Sequence, residues 1–170
     1  MELKLFRPRT DTIDIDTLYT RYADTVYRLA LARTRSAQDA DDIVQEVFMR
    51  CLRARPDFSG DEHEKAWFIR VTINCTKNLV TSAWRRHTAT ESENVPAAPE
   101  EEDHTDVFDA VMALPQKYRT VIHLYYYERY SIAEIAALTR SAENTVKSQL
   151  FRAREMLRDT LKGEYTYETV

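Results

Sequence analysis

Glycine is nearly missing from this chain: its 170 residues contain two, Gly60 and Gly163. Strand-to-strand turns draw heavily on glycine, so a β-rich architecture would have little to turn with. Both glycines fall outside the periodic apolar stretches, and an all-α fold is expected. Cysteine is equally scarce. Cys51 and Cys75 stand far apart and outside any CxxC pair, which argues against zinc and disulfide frameworks and predicts two buried free thiols. No apolar run approaches the roughly 20 residues that span a bilayer. Residues 1–12 lack the apolar core of a signal peptide. A cytoplasmic protein with no membrane insertion is expected. Catalytic constellations are missing too. His63-Glu64 has the start of a zinc-protease motif without the second histidine, and neither a glycine-rich phosphate loop nor a nucleophile–base set occurs. The chain is therefore expected not to be an enzyme and to need no metal or cofactor.

What is present is helical periodicity. From Thr17, Leu18, Tyr22, Val26, Leu29, Ala30 and Arg33 share one helix face, with only Arg33 polar. Ser36 is placed to cap a second helix, on which Ala40, Ile43, Val44, Val47, Phe48, Cys51 and Leu52 recur at three- and four-residue steps. Pro56 ends it, and residues 56–61 read as a loop. A third helix is predicted over about 62–84, with Trp67, Val71, Cys75, Asn78 and Leu79 along one stripe and Ile69, Ile73 and Val80 beside it. Residues 88–104 carry Pro96, Pro99 and the acidic run Glu100 to Asp103, with no apolar face. That composition predicts a flexible acidic linker between two small domains, at 13–87 and 105–162. In the second, Val107, Val111 and Leu114 mark a short helix. Pro115 sits at the first position of the next, which Tyr118, Val121, Ile122, Leu124 and Tyr125 continue.

The last two helices form a helix-turn-helix pattern. Ser131 and Glu134 have capping-box spacing, followed by Ile132, Ile135, Ala136 and Leu138 on one apolar face. Ser141 is expected to cap the second helix, which would bury Val146, Leu150, Ala153 and Leu157 and expose Thr145, Lys147, Ser148, Arg152 and Arg154. Arg140, Lys147, Arg152, Arg154 and Arg158 face only Glu143 and Glu155 in this segment, inside a chain of net charge −4. Basic and hydroxyl side chains on one helix suit the major groove of duplex DNA. A plain helical hairpin with a solvated basic face fits the same spacing. The turn Thr139-Arg140-Ser141 lacks glycine, so it either avoids positive φ or bears about 1–2 kcal/mol of strain.

Two sets of residues resemble a known family. Leu114-Pro115-Gln116-Lys117-Tyr118-Arg119, Tyr130 to Ala136, Asn144 to Ser148 and Phe151-Arg152-Ala153-Arg154 resemble the C-terminal domain of sigma factors. Asp39-Ala40, then Asp42 to Phe48, resemble the polymerase-contacting helix of the second sigma domain. Phe58, Trp67, Arg70, Asn74, Lys77 and Asn78 resemble its promoter-melting segment. Together they cover about residues 18–161 and resemble the extracytoplasmic-function group of the sigma-70 family. The resemblance implies that core RNA polymerase and promoter DNA are partners, and that an anti-sigma factor holds the protein. It implies that Thr145, Lys147, Ser148, Phe151 and Arg152 meet the upstream minus-thirty-five element. It implies that Phe58, Arg70, Asn74, Lys77 and Asn78 meet the minus-ten element, and that Asp42, Gln45 and Glu46 meet the polymerase. A one-component regulator with a helical sensing domain, or a helical adaptor that binds no DNA, are the rival readings of the residues alone.

Overall fold

The computed structural model describes residues 14–87 and 106–165; of residues 79–87 and 163–165 it describes the backbone only. The linker expected at 88–104 and the segment 1–12 lie outside the described residues. Within them the helices are α1 (Ile15–Thr34), α2 (Ala37–Ala54), α3 (Asp61–His87), α4 (Asp106–Ala113), α5 (Gln116–Ile122), α6 (Ile132–Thr139) and α7 (Glu143–Tyr165). A π-helical turn, His123–Tyr127, continues α5. No strand occurs among the described residues.

The N-terminal unit is α1, α2 and α3. Its first two helices follow their periodicity. α1 buries Leu18, Tyr22, Val26, Leu29, Ala30 and Arg33. Ser36 caps α2 by accepting from the Asp39 N–H at 3.1 Å. Leu52, expected on the buried stripe, is instead 44% exposed: the core of the last turn is filled by Cys51, and Leu52 falls on the outer side of it. The buried arc of α3 also differs from the expected one. Phe68, Ile69, Thr72, Ile73, Cys75 and Thr76 are buried, while Trp67 and Val71 are half-buried and Asn78 is exposed. Two threonines belong to that arc because their hydroxyls bond to carbonyls of their own helix, Thr72 to Phe68 (2.8 Å) and Thr76 to Ile73 (2.9 Å). A satisfied hydroxyl is cheap to bury.

Helix ends show where the missing glycines are felt. Arg35, Arg55 and Arg140 close α1, α2 and α6 in the left-handed conformation, and Arg129 adopts it after the π turn (φ 60°, 43°, 56° and 60°). Glycine is the usual residue there, and arginine costs about 1–2 kcal/mol at each. A cation beside the last carbonyls of a helix offsets part of that cost. Gly60, just before α3, adopts a different positive φ of 149°, and its carbonyl accepts from the Glu64 N–H.

In the C-terminal unit two expected caps move by one residue. Pro115 is the N-cap of α5, not its first helical residue; its extended backbone (φ −55°, ψ 146°) leaves its carbonyl to accept from Tyr118 and Arg119. Ala142, not Ser141, supplies the carbonyl that starts α7, accepting from Thr145 and Val146. Ser141 instead donates its N–H to Ala136 and closes α6. Val107 is 45% exposed, so α4 is buried through Ala110 and the Leu114 that follows it.

The two units pack against each other through one shared core, in which Leu29, Ile69 and Ile73 join Val121, Ile122, Leu124, Ile135 and Leu150. Two buried arginines cross the seam. Arg33 of α1 donates to Thr76 Oγ1 of α3 (2.6 Å) and Thr120 Oγ1 of α5 (2.8 Å). Arg119 of α5 donates to the carbonyls of Ala32 (2.5 Å), Arg33 (3.3 Å) and Leu114. Neither meets a carboxylate. Burial, with the neighbouring charge of Arg119, pushes the Arg33 guanidinium down to about 10, and burial together with Arg35 does the same to Arg119. The carbonyls that receive Arg119 are those at the C-terminal ends of α1 and α4, where helix dipoles present negative charge.

A charged contact completes the seam. Lys65 of α3 lies 2.8 Å from the Glu128 carboxylate, which is also 3.4 Å from His123 Nε2. Burial raises the Glu128 pKa, but hydrogen bonds from His123 and Lys65 outweigh it, and the carboxyl titrates below its ordinary 4.5. A depressed carboxyl contributes stability that is whole above its unfolded value and is lost as pH falls through its folded value. Docking of the two units is therefore expected to loosen as pH falls below about 4.5. Small-angle scattering across that window, on the native chain and on Glu128→Gln, checks this. Identical acid profiles for the two would show that Glu128 does not govern it.

Candidate nucleic-acid interface

α6 and α7 form the helix-turn-helix. The capping box is complete: Glu134 N–H donates to Ser131 Oγ at 3.3 Å, and Ser131 N–H donates to Glu134 Oε2 at 2.8 Å. The Ser131 hydroxyl, which donates to Glu134 Oε2 at 2.6 Å, and the Ser131 N–H hold the Glu134 carboxyl below its ordinary range. Ile135, Ala136 and Leu138 are buried, as are Val146, Leu150 and Ala153 of α7. Small Ala136 and Ala153 leave room for a close crossing. The turn does enter positive φ, at Arg140 (56°), so it bears the strain that its lack of glycine implies.

The outward side of α7 carries Thr145, Lys147, Ser148, Phe151 and Arg152, all exposed. Phe151 is 60% exposed, which removes it from the core and leaves an apolar ring standing among polar groups. One flank of this row is extended by tyrosines that the sequence pattern did not single out. Arg154 Nε donates to Tyr126 Oη (2.8 Å), and its guanidinium stacks 5.5 Å and 5.6 Å from the Tyr125 and Tyr126 rings. The other flank holds Lys117 and Tyr118, also missed. A hydrogen bond from Arg152 to the Tyr118 hydroxyl, aided by the charge of Lys117, lowers the phenol below its ordinary value. Only the pairing of α5 with α7 brings them beside Arg152, which is why spacing along the chain does not reveal them.

A second group lies along α3. Arg70, Lys77 and Asn78 are exposed and Asn74 is half-buried, at three- and four-residue steps on one side of the helix. Phe58, from the preceding loop, is half-buried at the head of this stripe. Its ring stands edge-on to Trp67 (5.9 Å) and His63 (5.8 Å). The His63 ring is itself fixed by the Ser59 N–H, which donates to Nδ1 at 3.2 Å. The side of α3 that meets the C-terminal unit carries Lys65, Ala66, Ile69 and Ile73, so this stripe is a separate face.

A third surface runs along α2. Asp42 and Gln45 are exposed. Glu46 is tied to Arg50 at 2.6 Å, so its charge is partly answered within the helix. Met49 and Leu52, both 44% exposed, continue the line of Asp42 and Gln45 at steps of three and four. Sequence reading placed Leu52 in the core and left Met49 aside. The surface is therefore acidic at one end and apolar at the other. No cluster of three metal-binding side chains occurs among the described residues, and no helix among them is long and apolar enough to cross a membrane.

Comparison with known proteins bears on all three surfaces. Residues 18–86 match the family model for sigma-70 region 2, and residues 105–157 match that for sigma-70 region 4. The chain is similar to the RNA polymerase sigma factor SigV of Bacillus subtilis, at 30% identity over 87% of this chain and 91% of that one. It is also similar to the RNA polymerase sigma-H factor of Pseudomonas aeruginosa, at 30% identity over 91% of this chain and 89% of the other. Among solved structures, the sigma factor RpoE in complex with the anti-sigma factor NepR from Bartonella quintana shares the fold, with a TM-score of 0.70 and 23% identity over 88% of this chain and 97% of that one.

Proposed function

This chain belongs to the sigma-70 family, in its extracytoplasmic-function group, and from that membership we propose how its surfaces divide the work of an RNA polymerase sigma factor. The N-terminal domain, residues 13–87, binds core polymerase and the minus-ten element; the C-terminal domain, residues 105–162, reads the minus-thirty-five duplex. The observation that carries the second assignment is the split surface of α7. Thr145, Lys147, Ser148, Phe151 and Arg152 are all exposed, while Val146, Leu150 and Ala153 between them are buried. A recognition helix needs that division, with basic and hydroxyl groups outward for phosphates and base edges.

On α3, Phe58 offers an apolar wall for an unstacked base of the separated strand, backed by Trp67 and His63. Arg70 and Lys77 form the cationic track, and Asn74 and Asn78 offer amide donors and acceptors. On α2, Asp42, Gln45 and Glu46 meet a basic polymerase surface, and Met49 and Leu52 add apolar contact beside them. The polymerase supplies the chemistry; this chain supplies placement, and it works in the cytoplasm. An anti-sigma factor is the regulatory partner, as in the complex of the structural neighbour named above.

The test is to mix the chain with core polymerase and genomic DNA fragments and map transcript starts. New start sites sharing two spaced elements are expected; starts no different from core polymerase alone would overturn the reading. Within that assay, Arg152→Ala is expected to weaken use of matched upstream elements by about 1–3 kcal/mol if its guanidinium contacts a base edge. An equal loss on every upstream sequence would make Arg152 a phosphate contact instead.

A further inference from the structure

Beside the recognition helix stands α5, which the division above leaves idle. A cavity of about 350 Å³ lies between Lys117 and Tyr118 of α5 and Asn144, Thr145, Ser148 and Arg152 of α7. Its walls are cations, hydroxyls and amides, and no carboxylate lines it. Lys117, Thr145, Ser148 and Arg152 are all exposed, so a ligand reaches them from solvent. Tyr118 is the fixed part. It is 8% exposed, packed in the core that α5 shares with α7, and Lys117 Nζ rides 5.0 Å from its ring centroid. Tyr118 shares the cavity wall with Arg152, whose guanidinium holds the phenol below its ordinary value.

This charge pattern suits a monoanion with several acceptor oxygens, and the row to which the cavity is joined faces duplex DNA on the reading above. Lys147 lies five residues from Arg152, roughly 140° around the helix at about 100° per residue. The two cations therefore serve different places on the duplex. We propose that the cavity takes one backbone phosphodiester beside the minus-thirty-five element, held by Lys117 with the hydroxyl of Thr145 and, once it turns from the Asn144 carbonyl that it now bonds at 2.8 Å, that of Ser148, and that Tyr118 is a positioning residue that aims Arg152 at the adjoining base edge. α5 thereby becomes a DNA-contacting element in its own right. A phosphate fixed at this point sets the depth at which α7 enters the groove. An arginine already held by a phenol loses less freedom on binding.

The inference rests on the upstream-element reading, and its test separates the two. Holoenzyme is assembled from core polymerase and the full chain, and promoter affinity is measured on duplexes bearing single neutral methylphosphonates across the upstream element. The native chain is expected to lose about tenfold at one linkage on this flank, as for loss of a charge-assisted contact. Lys117→Ala is expected to lose a similar factor on unmodified DNA and nothing more at that linkage, while every other linkage behaves as in the native chain. Tyr118→Phe keeps the buried ring. It is expected to reduce discrimination between matched and mismatched upstream elements several-fold, and to add nothing in combination with Arg152→Ala. Additive losses in that combination would overturn the positioning role. An unchanged methylphosphonate profile in Lys117→Ala would overturn the phosphate site. Indifference of upstream recognition to both Lys147→Ala and Arg152→Ala would sink the upstream reading itself.

Discussion

Arg119→Ala is expected to destabilise the docked chain by about 2 kcal/mol or more, counting about 1–3 kcal/mol for each of the Ala32 and Leu114 carbonyls left without a donor; the Arg33 carbonyl keeps the Gln116 side chain at 3.1 Å. The loss should fall on the contact between the units. Arg119 reaches the Ala32 and Arg33 carbonyls at the end of α1 and the Leu114 carbonyl beyond α4, so one side chain closes two helix ends. Removing a buried guanidinium also recovers its desolvation penalty, which for an isolated ion is several kcal/mol. Here that recovery offsets part of the loss, since burial already pushes the guanidinium down to about 10. Arg119→Lys separates charge from shape. An ammonium keeps the charge, but its compact head cannot serve both helix ends at once. It is expected to fall close to alanine, with a lower melting temperature and a larger radius of gyration. A lysine variant as compact and as stable as the native chain would refute the two-ended role.

Phe68→Ala should be as damaging inside the N-terminal unit. Phe68 is fully buried and its ring lies 4.8 Å from Tyr22, 5.1 Å from Phe48, 5.1 Å from Trp67 and 6.3 Å from Phe58. It touches α1, α2 and the loop before α3 together. Truncating a buried phenylalanine costs about 3–5 kcal/mol through lost burial and the cavity left behind. Phe58 also loses the ring that backs it, so melting at the minus-ten element should suffer beyond the loss in stability. Phe151→Ala is the control: at 60% exposure it should leave the unfolding free energy from urea titration within about 0.5 kcal/mol of native. A Phe68→Ala value equally close to native would contradict the packing described.

How much of this was legible in the chain follows from which forces act locally. α1 and α2 bury the residues that their periodicity nominates, Leu52 apart, and the Ser131–Glu134 capping box forms as spaced, because these depend on near neighbours. The split face of α7 was legible for the same reason. Arg33 shows where that logic thins. Its place on an apolar face announced burial, but its partners Thr76 and Thr120 lie on other helices. Arg119 gave no sign at all, since its acceptors are backbone carbonyls, which every residue has. Thr72 and Thr76 hid in α3 because a hydroxyl that bonds its own helix packs like an apolar group. The π turn at His123–Tyr127 hid for a different reason: it alters hydrogen-bond register without altering composition. Tyr118 was legible as an apolar position of α5 and Lys117 only through the family resemblance; their place beside Arg152 needed the α5–α7 crossing.

The proposed reading also asks the units to part. Elements 25 base pairs apart lie about 85 Å along the duplex axis, at about 34 Å per helical turn. A compact chain of this size has a radius of gyration of only about 15 Å. The docked units do not hide the exposed residues of α3 and α7, so docking limits their separation and not their access to DNA.

The arginine seam then gives ionic strength a direction. Arg33 and Arg119 are buried and bonded to neutral hydroxyls and carbonyls, so mobile ions barely weaken what they hold. Contacts to DNA phosphates weaken steeply as salt displaces them. Of the charged contacts described at the seam, Lys65–Glu128 has the more exposed partner, with Lys65 at 34%, and it is a small part of the whole. Rising salt therefore moves the chain from the separated, promoter-engaged state towards the docked one, and the dockless Arg119→Ala chain should lack that retreat. On the proposed reading, rising salt lowers promoter use without any dedicated sensor.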